Sequence, residues 1–128
     1  MGFMSKNGFE VTVACLHEGE LAEYEKKRDV DVHRIKLKSR SWSKKKVIQL
    51  IKYFEFLWRA VREYRNADIC HCNDLNALPV GVMIKLINRR CRVVYDAHEY
   101  EINDIPHQSK ASIKMRYFLE RFFIRFAD

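Results

Sequence analysis

The chain has 128 residues, 48% of them hydrophobic, which is the size of one globular domain with enough apolar mass to bury a core. No run approaches the roughly 20 apolar residues that a bilayer-spanning helix needs, and the polar start Ser5-Lys6-Asn7 is unlike a secretory signal, so a cytoplasmic location is expected. Lys and Arg number 24 against 17 Asp and Glu; the resulting charge of +7 and pI of 9.3 favour anionic partners such as phosphorylated ligands, acidic lipid headgroups or nucleic acid.

The first strand is predicted over Phe9 to Leu16, a β-branched run bounded by Gly8 and by His17-Glu18-Gly19. Glu20 to Lys27 is polar and reads as a short helical turn or a loop. Val30 to Leu37 alternates, with a phase slip between Val32 and Ile35, and is expected to be a second strand with a local irregularity. After the polar connector Lys38 to Ser43 the period changes. Val47, Leu50, Ile51, Phe54, Leu57, Trp58, Val61 and Tyr64 recur every three or four residues, which predicts an amphipathic helix of about five to six turns with Ser41 or Ser43 at its start. Lys44, Lys45, Lys46, Lys52, Arg59 and Arg62 fill its other side. A solvated helix face accounts for them; a membrane-facing role for Lys44, Lys45, Lys46, Lys52 and Arg59 is the sharper reading, because Tyr53 and Phe56 widen the apolar stripe beside them.

The most informative stretch comes next. Ala67-Asp68-Ile69-Cys70-His71-Cys72 is a short strand running into Asn73-Asp74, and Cys91-Arg92-Val93-Val94-Tyr95 is a second one running into Asp96-Ala97-His98-Glu99. Leu75 to Arg90 between them is a largely apolar helix, with Pro79 near its first turns and Asn73 or Asp74 placed to cap it. Strand, helix and strand in that order imply a parallel pair, so both polar ends lie at one sheet edge, where open α/β sheets bind ligands. That order offers His71, Asn73, Asp74, Asp96, His98 and Glu99 to one crevice; His71, lying within the strand, reads as structural and hydrogen-bonded at the sheet edge, and Asp96 could orient His98 or pair with an arginine. An aperiodic segment to Gln108 comes after, then a last helix from about Ser109 with Met115, Phe118, Leu119, Phe122 and Phe126 on one stripe among lysines and arginines.

Cys15, Cys70, Cys72 and Cys91 read as reduced core thiols. A zinc site built on Cys70, His71, Cys72 and His98 is disfavoured, since alternate strand residues face opposite sides; no metal is expected. The glycines, Gly2, Gly8, Gly19 and Gly81, form no phosphate-cradling loop. Met1 to Lys6 resembles the tail of a helix that an earlier strand would have preceded.

The stretch His71-Cys72-Asn73-Asp74-Leu75-Asn76-Ala77-Leu78-Pro79-Val80-Gly81, followed by Val93-Val94-Tyr95-Asp96-Ala97-His98-Glu99, resembles the N-terminal half of family 4 glycosyltransferases of the GT-B architecture. Ser5 to Val13 and the late Glu120-Arg121 and Asp128 fit the same pattern, so nearly the whole chain is covered in family order. The resemblance implies an α/β fold: a Rossmann-like parallel sheet with helices on both faces, here expected to lack its first strand. Residues 1–128 are then one domain, a fragment of the acceptor-side half, with the C-terminal donor-binding domain absent.

The function so implied is retaining, nucleotide-sugar-dependent transfer to a polysaccharide or lipid-linked acceptor, the fragment being inactive alone. His98 takes the catalytic position facing the donor sugar, with Asn73, Asp74, Asp96 and Glu99 lining the cleft. No cofactor is expected on the fragment; the nucleotide-sugar belongs to the full-length enzyme. Expected partners are the sugar acceptor and an anionic membrane surface on the cytoplasmic side, and no nucleic acid. The rival reading is a non-enzymatic basic module for a membrane surface or nucleic acid, supported by the charge and by Trp42, Trp58 and Phe122 near cations.

Overall fold

A computed structural model describes residues 6–96 and 109–128. The chain divides into two compact units, Met1–Ala60 and Val61–Asp128. The α/β class is observed, with the strands forming two sheets, one in each unit.

In the first unit, Lys6 is helical and Gly8 carries the chain out of that turn with a φ of +84°, a conformation glycine adopts without strain. Strand β1 (Val11–Leu16) pairs in parallel with β3 (Val30–Ile35), and β2 (Tyr24–Lys27) adds to the far side of β3 in antiparallel sense, giving the order β1-β3-β2. Strand β2 corrects the expectation of a helical turn or loop over Glu20 to Lys27. Its Glu-Lys-Lys composition suits an edge, where charge blocks further pairing, and Arg28 in the left-handed region (φ 54°) turns the chain into β3.

The phase slip in β3 is not a bulge, because its register with β1 runs unbroken from Val11↔Val30 to Leu16↔Ile35. It arises from buried polar residues in a central strand. Arg34 is buried with its guanidinium on the Glu25 carboxylate at 2.6 Å and on the Ala22 carbonyl at 2.8 Å, and buried His33 stacks on Tyr24 with ring centroids 4.4 Å apart. A buried arginine with a carboxylate and a carbonyl meets the rule that interior charge must be paired and hydrogen-bonded. A 3-10 turn (Lys38–Ser41) then leads to helix α1 (Lys46–Tyr64), close to the predicted extent; the Ser43 hydroxyl accepts from the Lys45 N–H at 3.4 Å.

In the second unit, β4 (Ile69–Cys72) and β5 (Arg92–Tyr95) are parallel and joined by α2 (Leu78–Ile87), as the strand-helix-strand order predicts. Cys72, Leu78, Val82 and Val93 form the core. Helix α2 buries one face only: Leu78, Gly81, Val82 and Ile84 are buried while Leu86 and Ile87 are exposed. Gly81 sets how closely it approaches the strands. A β-carbon there would lie 2.7 Å from Cys72 Sγ and 3.1 Å from Val93 Cγ1, so only glycine fits at this separation. Helix α3 (Lys110–Phe123) starts at Ser109, whose hydroxyl accepts from the Ser112 N–H at 3.2 Å. It runs into a 3-10 turn (Ile124–Phe126), and Phe123, Phe126 and Ala127 pack on the core.

Gly81→Ala is therefore expected to force α2 off the strands at a cost of about 1–3 kcal/mol, outweighing the roughly 1 kcal/mol gained from alanine's helix propensity. Urea unfolding checks it: the midpoint falls, and a midpoint at or above that of the unmodified chain would contradict the close approach.

Candidate functional site

The parallel register Ile69↔Arg92 through Cys72↔Tyr95 puts the C-terminal ends of β4 and β5 side by side, and the Asp96 N–H continues the pairing by donating to the Cys72 carbonyl at 2.9 Å. Asn73 and Asp74 leave β4, and Asp96 leaves β5, at this one edge. These three of the expected cleft residues are thus brought together. His98 and Glu99 lie outside the described residues.

Each member is held differently. Asp74 Oδ1 accepts from the Ala77 N–H at 2.7 Å and its carbonyl accepts from Leu78 N–H at 3.2 Å, so it holds the turn that leads into α2. The cap expected from Asn73 or Asp74 therefore acts one turn early, with Ala77 at the helix boundary and Pro79 in its first turn. Asn73 is exposed. Asp96 stands beside His71, Oδ2 to Nε2 3.9 Å, both partly exposed, which is an ion-pair spacing and too long for a hydrogen bond. His71 thus stands at the polar edge, where the strand-helix-strand order puts it, and its neighbour there is Asp96. The register sets their approach: His71 pairs with Val94, and Asp96 is two residues further along the same face. Cys70 and Cys72 turn to the α2 side, as strand alternation requires. Among the described residues no group of three or more His, Cys, Asp or Glu is placed to hold a metal ion.

The strand ends are anchored from behind. The Tyr95 hydroxyl donates to Glu120 Oε1 on α3 at 3.0 Å. Asp128 grips β5 at both backbone groups of Val93, its N–H donating to the Val93 carbonyl and its Oδ2 accepting from the Val93 N–H, each at 2.8 Å. Lys85 closes this corner with its ammonium on Asp128 Oδ2 at 2.7 Å and on the Phe126 carbonyl at 2.9 Å; that hydrogen bond, with the Val93 N–H, holds the Asp128 carboxyl below its ordinary range.

The five cations expected to face a membrane divide into two sets. Lys44, Lys45 and Lys46 are exposed at the entry to α1. Lys52 and Arg59 are partly buried and bound within the first unit. The Lys52 ammonium donates to the Arg40 and Trp42 carbonyls, both at 3.0 Å, and Arg59 Nε donates to Glu55 Oε1 at 2.9 Å. Glu55 also accepts from the Lys38 N–H at 2.7 Å, the Ser39 N–H at 3.0 Å and the Ser39 hydroxyl at 2.5 Å. Glu55 and Lys52 thus hold the 3-10 turn and the chain after it on α1. Partial burial would raise the Glu55 carboxyl, but the Ser39 hydroxyl, the two backbone N–H groups and Arg59 overrule it and bring it down to about 2.

A carboxyl held below its ordinary value of 4.5 stabilises the fold above that pH and ceases to do so as pH falls toward about 2. Glu55→Gln is expected to destabilise the neutral protein by about 1–3 kcal/mol and to flatten the acid limb of its stability curve. Thermal unfolding of both proteins across that range is the check, and parallel acid limbs would remove Glu55 as the titrating group.

The family model described as Glycosyltransferase Family 4 matches residues 2–128. Neither a curated protein nor a solved structure matches the chain. The match spans both units and every anchoring and edge residue named above, and on it the chain belongs to glycosyltransferase family 4 and carries a glycosyltransferase-type domain.

Proposed function

We propose that this domain binds the acceptor in a retaining, nucleotide-sugar-dependent glycosyltransferase, with a polysaccharide or a lipid-linked glycan as acceptor. The observation that carries the reading is the shared edge of β4 and β5, where Asn73, Asp74, Asp96 and His71 converge. Transfer with retention passes through an oxocarbenium-like state, so a site needs donors and acceptors that orient sugar hydroxyls and groups that balance the departing diphosphate. Exposed Asn73 can both donate and accept to a hydroxyl, and the Asp96 carboxylate accepts from one. Asp74 serves by fixing the turn that presents Asn73. His98 takes the catalytic position, donating to a sugar oxygen or to a phosphate, with Glu99 beside it. The nucleotide-sugar is held chiefly by a second, donor-binding domain, and residues 1–128 act as one acceptor-side domain that transfers nothing alone.

The acceptor side works at the cytoplasmic face of a membrane in this reading. No helix among the described residues is long and apolar enough to cross one. The support for surface attachment is the exposed Lys44-Lys45-Lys46 run beside Trp42, Val47, Leu50 and Phe54, which are exposed as well. Lys52 and Arg59, bound internally, contribute little to it.

In the enzyme completed by its donor domain, His98→Ala is expected to lower sugar transfer about 100-fold or more with the unfolding midpoint unchanged. A completed enzyme that transfers no sugar ends the reading, and an unaffected variant ends the role of His98. For the membrane, flotation with anionic vesicles should show salt-sensitive binding. Replacing Lys44, Lys45 and Lys46 by Gln should weaken it about 100-fold, at about 1 kcal/mol per cation. Binding to single-stranded nucleic acid instead would favour the basic-module alternative.

A further inference from the structure

Cys70, Cys72 and Cys91 all belong to the second unit, with free thiols. Cys70 lies within β4, half-buried under α2; Cys91 closes the turn between α2 and β5, with its N–H on the Asn88 carbonyl and only 1% of its surface exposed. Their sulfurs are 3.6 Å apart. The two residues sit on different segments joined only through α2, so a bond between them would close a loop around the whole crossover helix. Cys72 is differently placed: its sulfur fills the space beneath Gly81. Cys15 belongs to β1 in the other unit.

We propose that Cys70 and Cys91 form a latent dithiol, a site where a peroxide staples β4 to the turn that begins β5. The chemistry balances in two steps. The Cys70 sulfur, the more exposed of the two, attacks one peroxide oxygen; the O–O bond breaks, and Cys70 becomes a sulfenic acid as the second oxygen leaves as water. The Cys91 sulfur then attacks the Cys70 sulfur, the S–O bond breaks, and a second water leaves with the Cys91 proton. Two thiols are oxidised by two electrons and one peroxide is reduced. The sulfurs must close from 3.6 Å to about 2.05 Å, a displacement within the reach of side-chain torsions.

Proximity, not acidity, selects the pair. Burial, with the Cys91 thiol beside it, pushes Cys70 up to about 12, and burial pushes Cys72 up to about 11, so these sulfurs are protonated at neutral pH and react slowly. In a reducing compartment the pair stays a dithiol, and the cross-link forms under sustained oxidant. Its physical effect is to restrict the unfolded chain across α2, which stabilises the unit that carries Asn73, Asp74 and Asp96.

The test is to treat the full chain with hydrogen peroxide, alkylate remaining thiols after denaturation, and map peptides without reduction. Cys70 and Cys91 should disappear together from the alkylated pool and reappear as one intrachain cross-linked pair, two hydrogens lighter. Cys15 and Cys72 should remain alkylated, the oxidised chain should unfold at a higher temperature, and a thiol reductant should reverse both changes. Cys72→Ser should leave the cross-link intact, and Cys91→Ser should leave Cys70 at the sulfenic stage. The proposal is overturned if Cys70 and Cys91 both stay alkylatable, if Cys70 links to Cys72, or if only intermolecular disulfides form.

Discussion

The second unit depends on how closely one helix lies on two strands. With Gly81 facing Cys72 and Val93, α2 packs backbone against strand side chains, and the crossover is short enough to return the chain in parallel at once. A side chain at that position would lift the helix, open the Cys72–Leu78–Val82–Val93 core, and separate α2 from the strands that it joins. The polar edge arises from this contact without any further device. Once β4 and β5 are parallel and adjacent, the residues leaving their C-terminal ends have to lie on one side of the sheet.

The charges obey a different constraint. Although the chain carries +7, four of its carboxylates are committed to particular donors: Glu25 to Arg34, Glu55 to the 3-10 turn, Glu120 to Tyr95, Asp128 to Val93 and Lys85. Each accepts from a backbone N–H, a hydroxyl or a fixed cation, so its value is geometric as much as coulombic. The lysines at the entry to α1 have no such commitment in any ion pair among the described residues. These four negative charges are thus tied into the framework of their units while the Lys44-Lys45-Lys46 run is exposed, a difference not visible in composition.

The legible parts of the sequence were those where hydropathy period and chain order suffice. The helix from Lys46, the strand-helix-strand crossover and the Ser109 start are all dictated by apolar spacing or a capping hydroxyl. Strand β2 was missed because an edge strand need not be apolar, and Tyr24-Glu25-Lys26-Lys27 gains its place from partners in β3 that no local window contains. The slip in β3 misled for the same reason: Arg34 is charged by composition and buried by pairing. Of the site, His71, Asn73, Asp74 and Asp96 follow from tracing strands to their ends, whereas the pairing of His71 with Asp96 requires the register between two strands separated by a whole helix. Ser39 and Glu55, sixteen residues apart, had no local signal at all.

Both family motifs combine a residue that holds with a neighbour that presents. At the end of β5, Tyr95 turns toward α3 and fastens to Glu120, while Asp96, one residue later and therefore on the opposite side, reaches the edge beside His71. At the end of β4, Asp74 is taken up by the Ala77 N–H while Asn73 stays exposed. Glu120 and Asp128, far along the chain, belong to the same scheme, since they fix Tyr95 and Val93 rather than face the edge. A string of such residues therefore cannot be assigned to chemistry as a block. Removing a holding residue displaces its presenting neighbour, so loss of activity alone does not distinguish the two; the distinction lies in stability, which the holding residue controls and the presenting residue leaves nearly unchanged.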